Sequence, residues 1–142
     1  MEGKCGSRGV VYQATLKYER NKIDTYVGLT ERKFIERHKE HIRNFEDRNP
    51  KNSTKLSKKV WKLQNQNKNF ELKWEILKNA KTYSSGDQEC RLCLAEMLVI
   101  LFQPEKASLN TNSNFPILNS FLLFQLCVNY SINLIFSVYV TI

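Results

Sequence analysis

The sequence has no charged side chain after Lys106, so all 22 Lys and Arg and all 14 Asp and Glu lie in its first 106 residues. The net charge of +8 is therefore concentrated in that part of the chain. Such an excess of positive charge favours an anionic partner, and nucleic acid is the first candidate. The alternative is a solvated basic surface that binds nothing. At 142 residues the chain is long enough for one domain with a modest core.

The first residues, MEGKCGSRG, lack the apolar stretch that a signal peptide requires. We therefore expect an intracellular protein in a reducing compartment, where disulfides are not expected. The four cysteines include one CxxC pair, Cys90 and Cys93. One such pair supplies only two of the four ligands that a structural zinc site usually needs. The pair on its own is therefore a weak metal signal.

The uncharged tail is apolar, but seven polar side chains interrupt residues 117–140. A membrane-spanning helix needs about 20 mainly apolar residues, so the tail is long enough but diluted. Three interpretations stay open: a membrane segment at 115–142, a β-rich packing segment, or a non-native appendage such as translated non-coding sequence. We favour the appendage.

Apolar periodicity predicts the element order β-β-α-α-β-α and an α+β fold. Short β-branched and aromatic runs predict strands, and the charged turn ERNKID between the first two predicts an antiparallel hairpin. We therefore expect a small three-stranded antiparallel sheet flanked by helices. The predicted elements are strands at 9–17, 25–29 and 70–76, and helices that begin at Glu31 after a Thr30 cap, surround Leu56, Val60 and Leu63, and span 89–102.

Three polar residues in the predicted helices are candidates for chemistry. Glu96 lies within the apolar run LCLAEMLVI, where a buried carboxylate is costly unless it is paired or binds a metal. Arg37 carries a planar guanidinium suited to phosphate, and His41 suits proton transfer near neutral pH. The alternatives are a solvated strip for Glu96, surface charge for Arg37 and partial burial for His41. We expect Arg37 and His41 to share a face that differs from the predicted buried stripe of Phe34, His38, Ile42 and Phe45.

Taken together, VVY at 10–12, YVG at 26–28, Arg37, His41 and Glu96 resemble the GIY-YIG nuclease family over residues 9–112. Val10 and Val11 replace the Gly and Ile of the first motif, whereas its tyrosine is kept as Tyr12. Longer strings, namely GKC, YVGLTERKFIERHKEH, NSTKLSKKVWKL, LKWEIL and CRLCLAEMLVI, resemble the endonuclease domain of Penelope-like and related animal retroelements. Met97 stands where that group commonly has Lys.

The resemblance implies a metal-dependent DNA endonuclease that hydrolyses phosphodiester bonds with one Mg²⁺ or Mn²⁺ ion. It assigns Glu96 to the metal, Tyr12 to the attacking water, and Arg37 to negative charge in the transition state. Tyr26 would position the phosphate or the water, and His41 would assist proton transfer to Tyr12. The expected catalytic residues are therefore Tyr12, Tyr26, Arg37, His41 and Glu96.

Two further residues are expected to position the substrate. Gly28 would let the backbone approach the site closely, where a side chain would crowd it. Asn110, in ASLNTNSN, matches an asparagine that family members use after the metal-binding helix. DNA is the expected partner and the nucleus the expected location, while the oligomeric state is left open.

The resemblance also suggests how the chain is divided. We expect residues 1–8 to be the remnant of an upstream Cys-containing segment, 9–112 to be the nuclease-like domain, and 113–142 to be the uncharged tail. Related domains carry extra cysteines that look like part of a metal site, so Cys5, Cys90 and Cys93 are weak zinc candidates, but zinc is not expected. The rival functions are an inactive nucleic-acid-binding remnant and a protein anchored in a membrane through 115–142.

Overall fold

The computed structural model describes residues 6–82, 84–86 and 90–110. The chain divides into two units, Met1–Thr111 and Asn112–Ile142, and every described residue belongs to the first. The predictions for Cys5 and for the tail therefore lie outside the described residues. Within the part of the chain that is described, no helix is both long and apolar enough to cross a membrane.

The described residues form three strands and three α-helices in the predicted order, and the predicted α+β fold is confirmed. The strands are β1 (Val10–Tyr18), β2 (Lys22–Thr30) and β3 (Phe70–Asn79), and the helices are α1 (Phe34–Asp47), α2 (Lys55–Asn65) and α3 (Arg91–Phe102). The sheet is antiparallel with the order β2-β1-β3. The first strand is therefore central, and β2 lies at an edge.

Alternation along β1 builds the core on both faces of the sheet, because successive side chains of a strand point to opposite faces. Val10 and Tyr12 belong to one apolar cluster, and Val11, between them, belongs to another. The first cluster joins β1 and β3 to α1 and α2, and the second joins β1 and β2 to α3. The principal members from the helices are Phe34, Phe45, Leu56, Val60 and Leu63 in the first cluster, and Leu92, Ala95 and Ile100 in the second.

The hairpin turn is shorter than the predicted ERNKID segment. Within that segment, Glu19, Arg20 and Asn21 have a positive φ. The amide of Lys22 donates to the carbonyl of Glu19 at 2.8 Å, and β2 begins at Lys22. The last three residues of the predicted turn instead extend the strand pairing with β1.

Helix α1 begins at Phe34, three residues later than predicted, and its N-cap Lys33 makes no side-chain capping hydrogen bond. Thr30 does not cap the helix, because its hydroxyl accepts a hydrogen bond from the amide of Arg32 at 3.2 Å within the preceding bend. The amide of Phe34 donates instead to the carbonyl of Ser7 at 2.9 Å. The entry to α1 is thus fixed by the segment that precedes β1.

The predicted buried stripe of α1 is wrong at Ile42, and His38 in the same stripe is only partly buried. His41 is fully buried with Phe34 and Phe45, whereas Ile42 is 37% exposed. At about 100° per residue, His41 lies about 20° around the helix from Phe34, while Ile42 lies about 80° away. His41 therefore belongs to the core face. Arg37 shares that face, since both side chains reach the Tyr12 oxygen, and the face they share is not separate from the buried stripe as predicted. The apolar positions predicted for α2, by contrast, are buried as expected.

Candidate active site

The centre of the candidate site is Tyr12, which the middle strand holds in the core with no exposed surface. Its ring packs against Phe34 and Trp74, with ring centroids 5.3 and 5.9 Å away. Its phenol oxygen lies 2.8 Å from His41 Nε2. Arg37 Nε donates a hydrogen bond to the same oxygen at 3.2 Å. One buried oxygen therefore connects two side chains of α1.

Burial keeps both members of the Tyr12–His41 pair uncharged at neutral pH. Removal from water and, as the second cause, the positive charge of Arg37 lower the pKa of His41 to about 3. Burial also raises the pKa of Tyr12, and Tyr26 adds to that effect while Arg37 opposes it. Because Arg37 donates to the Tyr12 oxygen, the phenol hydrogen is free to be donated to His41 Nε2. In that arrangement the imidazole hydrogen is on Nδ1, which is buried without a hydrogen-bond partner in the described structure.

Tyr26 and Glu96 border this pair. The Tyr26 ring centroid lies 5.9 Å from that of His41, and Tyr26 is only partly buried. Glu96 comes from α3, which packs on the opposite face of the sheet from α1. Burial raises the pKa of Glu96 to about 7, and Arg37 opposes the shift. The charge of Glu96 also contributes to the raised pKa values of Tyr12 and Tyr26, so it lies within electrostatic reach of both.

Four of the residues expected to be catalytic contact one another, and Glu96 lies within electrostatic reach of Tyr12, Tyr26 and Arg37. Four separate elements supply the five residues. They are Tyr12 from β1, Tyr26 from β2, Arg37 and His41 from α1, and Glu96 from α3. Alternation places both tyrosines on the α1 face of the sheet. Helix α3 contacts β2, the edge strand, and this brings the carboxylate towards the tyrosines.

Gly28 provides space for this cluster. It is the register partner of Tyr12 in the β1–β2 ladder. A Cβ at position 28 would lie 2.6 Å from the phenol oxygen of Tyr12 and 3.1 Å from Cε1 of Tyr26. Contacts as short as the first are incompatible with normal packing. Both tyrosine rings can therefore occupy their positions only because Gly28 has no side chain.

Asn110 contacts the backbone of the sheet. Its side-chain oxygen accepts from the amide of Val27 at 2.8 Å, and its side-chain nitrogen donates to the Val27 carbonyl at 2.9 Å. Leu109 extends the pairing, because its amide donates to the carbonyl of Thr25 at 2.8 Å. Asn110 thus fixes β2 between Tyr26 and Gly28, whereas its role in positioning the substrate stays a prediction.

One of the cysteine predictions is wrong. Cys90 caps α3, and its sulfur accepts from the amide of Cys93 at 3.2 Å. The two form a disulfide, contrary to the expectation of none. The first helical turn causes this pairing, since it brings the two Cα atoms to 5.3 Å, within the usual range for a disulfide. Among the described residues, no group of three or more His, Cys, Asp or Glu could hold a metal ion.

A single carboxylate nevertheless suits a hard cation. Glu96 is half-buried and, within the described residues, makes no ion pair or hydrogen bond. Magnesium sites often contain only one or two carboxylates, with water and substrate phosphate as the remaining ligands. The donor set therefore fits a magnesium-type ion that is shared with a phosphate, and it does not fit an all-protein cage.

Sequence reasoning missed two residues that support the site. Glu40 accepts from Arg37 Nη1 at 2.9 Å, and the i, i+3 spacing of opposite charges on α1 was the available signal. Trp74 contacts the rings of Tyr12, His38 and His41, with centroids 5.1 to 5.9 Å apart. The alternation of β3 predicted that Trp74 is buried, but it gave no information on which rings it meets.

No family model matches the chain, and neither a curated protein nor a solved structure is detectably similar to it. The function proposed below therefore rests on the geometry of Tyr12, Tyr26, Arg37, His41 and Glu96 and on the motif resemblance. The chemistry of the cluster is a buried neutral tyrosine–histidine pair, a guanidinium and a carboxylate whose ionised form is disfavoured.

Proposed function

We propose that the chain is a metal-dependent DNA endonuclease domain of the GIY-YIG type, related to those of retroelements, which hydrolyses phosphodiester bonds. The observation that carries the proposal is the contact of Tyr12, Tyr26, Arg37 and His41 with one another, with the carboxylate of Glu96 within electrostatic reach of them. A core packing requirement alone would favour apolar residues at these positions, because buried polar groups are costly. DNA is accordingly the proposed partner and the nucleus the proposed location.

The side chains divide the chemistry between them. Arg37 is oriented by Tyr12 and Glu40, and its guanidinium suits the charge that develops on the phosphate in the transition state. Tyr26 is the more exposed tyrosine and therefore the one suited to contact the attacking water. When bound at Glu96, Mg²⁺ or Mn²⁺ would supply positive charge to the scissile phosphate and the leaving oxygen.

Tyr12 and His41 are suited to move a proton. Tyr12 is fully buried and already bonded to Arg37 and His41, so it acts as the inner member of a relay. A proton released when water attacks phosphorus passes towards the phenol, as the phenol hydrogen moves to neutral His41 Nε2. The low pKa of His41 favours the return of that proton to the Tyr12 oxygen, while the phenol gives up a proton to the oxygen that leaves phosphorus, so both side chains regain their neutral forms.

The experiment is plasmid nicking by the full chain with Mg²⁺ or Mn²⁺. Glu96→Gln and Tyr12→Phe should each lower the rate by roughly 100-fold or more, in line with the loss of one transition-state group. Glu46→Gln and Tyr18→Phe are the matched controls, since each makes the same chemical change away from the site, and both should cut normally. Cleavage that survives Glu96→Gln would contradict the proposed metal ligand.

An inactive nucleic-acid-binding remnant is the second candidate. The complete burial of Tyr12 favours it, because a phenol without exposed surface has no direct contact with water. The replacement of the first motif by Val10 and Val11 points the same way. DNA binding without metal-dependent nicking, unaffected by Glu96→Gln, would select this candidate.

A further inference from the structure

Glu40 links two arginines next to the candidate site. One carboxylate oxygen pairs with Arg37 Nη1 at 2.9 Å, and the other pairs with Arg32 Nη2 at 2.5 Å. The paired hydrogen bonds keep the pKa of Glu40 below its usual value against the effect of burial, so the carboxylate is ionised at neutral pH. Each oxygen thus holds a different guanidinium.

The two guanidinium groups differ in depth. Arg37 is 26% exposed and is bonded to Tyr12 at the centre of the cluster. Arg32 is 55% exposed and lies in the bend between β2 and α1, where its backbone amide is bonded to Thr30. The two arginines therefore extend from Tyr12 outwards to solvent.

The stability of the folded domain does not explain why two arginines pair with one carboxylate. Exposed ion pairs contribute little to folding, because solvent screens them and ordering long side chains costs entropy. Two guanidinium groups also repel each other unless a negative charge lies between them, and Glu40 supplies that charge. Such an arrangement preorganises two positive groups for an anion with repeating charges, and phosphates recur about every 3.4 Å of helix axis along a DNA strand.

We propose that Glu40 is a positioning residue that holds Arg32 and Arg37 as a two-arginine clamp, in which Arg32 binds a phosphate next to the scissile one. The inference rests on the proposed function in that the scissile phosphate lies at Arg37. Arg32 then adds backbone affinity without sequence preference, because phosphate contacts carry no base information.

The first test is DNA binding by the full chain across a salt series in EDTA, where no cleavage occurs. Each phosphate contact contributes about 0.9 to the slope of log K against log salt concentration. Arg32→Ala should therefore lower that slope by about 0.9. Arg43→Ala removes the same charge from an exposed position on α1 and should leave the slope unchanged.

The second test asks whether removal of the Glu40 charge tightens DNA binding. Removing an unrelated acidic charge from a DNA-binding protein tightens binding, and Glu36→Gln on the same helix should do so slightly. Glu40→Gln removes the same charge, but it should not tighten binding, and it should lower kcat about 10-fold because Arg37 loses its orientation. Tighter binding by Glu40→Gln, or equal slopes for Arg32→Ala and the wild type, would overturn the clamp.

The two proposals fail separately. Normal nicking with an unchanged slope for Arg32→Ala would refute the clamp and leave the nuclease intact. DNA binding with the expected change of slope, but without nicking, would support Arg32 as a contact to the DNA backbone and refute the nuclease. A wild-type chain that does not bind DNA at all would overturn the clamp.

Discussion

Tyr12 Oη and His41 Nε2 lie 2.8 Å apart, and neither residue has any exposed surface. The hydrogen bond joins the central strand to α1 inside the core that stabilises the domain. The same two side chains are the proposed proton relay, so the chemistry and the stability of the domain depend on one pair.

The burial of His41 makes stability depend on pH. Its folded pKa of about 3 lies below the unfolded value of 6.5, so its stabilising effect is complete above 6.5 and is lost as the pH falls towards 3. The free energy of unfolding should then fall by at most about 1.4 kcal/mol per pH unit in that window. Urea unfolding from pH 4 to 8 measures this fall.

The pH dependence that is due to His41 must be measured in a variant in which residue 96 does not titrate. Glu96 has the opposite effect between pH 7 and 4.5, because its raised pKa makes protonation favour the folded state. The pH series should therefore use Glu96→Gln with and without His41→Gln, while His38 stays constant in both. The additional substitution should remove most of the acid-induced loss. An unchanged pH slope would mean that His41 is protonated in the folded domain.

Glu96→Gln should stabilise the domain at pH 8 while abolishing cleavage. The folded pKa of about 7 lies above the unfolded value of 4.5, so the carboxylate costs folding energy as the pH rises through that window. After allowance for partial exposure, the gain should be about 1 to 2 kcal/mol. Urea unfolding at pH 8 and at pH 4 measures it, and the gain should disappear at pH 4. Glu46→Gln should have almost no effect, and a loss of stability in Glu96→Gln would show that the folded domain favours the ionised carboxylate.

Local patterns in the sequence predict the strands, the helices and most of the core residues. The alternation around Trp74 and the spacing of Leu56, Val60 and Leu63 predicted the correct faces, because both depend only on the repeat of a strand or a helix. The prediction assigns Ile42 to the core because it is apolar, although His41 lies closer to Phe34 around the helix.

The missed parts of the site depend on contacts between distant segments. The side chain of Asn110 reaches Val27 across 83 positions of sequence, and no periodicity specifies that pairing. The bond from Arg37 to Tyr12 likewise requires a strand and a helix to be docked. The resemblance to a nuclease family identified the cluster residues, but it did not indicate that Glu40 holds two arginines.

Asn110→Ala should destabilise the domain by about 1 to 3 kcal/mol, since it leaves the buried amide and carbonyl of Val27 without partners. Asn110→Asp keeps the acceptor but not the donor, so its loss should be smaller if the carboxylate is tolerated. Hydrogen exchange at the Val27 amide measures the effect at the strand itself. Asn44→Ala removes an exposed amide hydrogen bond and should cost much less. Unchanged exchange at Val27 in Asn110→Ala would contradict this positioning role.

Gly28→Ala should destabilise the domain and abolish cleavage. The added methyl group would lie 2.6 Å from the Tyr12 oxygen and 2.8 Å from Cζ, so the phenol must leave the position in which it bonds His41. Overpacking of this kind costs about 1 to 3 kcal/mol. Gly6→Ala is the control, because nothing lies within 4 Å of a Cβ at that position, and it should behave like the wild type.

The double variant Gly28→Ala with Tyr12→Phe tests whether the loss comes from this contact. Removing the phenol oxygen relieves the shortest approach, so the two substitutions should be less costly together than the sum of their separate effects on the free energy of unfolding. Urea unfolding of the four proteins in the cycle measures the coupling. Strict additivity would mean that the methyl group is accommodated without displacing the phenol oxygen, and the loss of cleavage in Gly28→Ala would then need a cause outside the Tyr12–His41 pair.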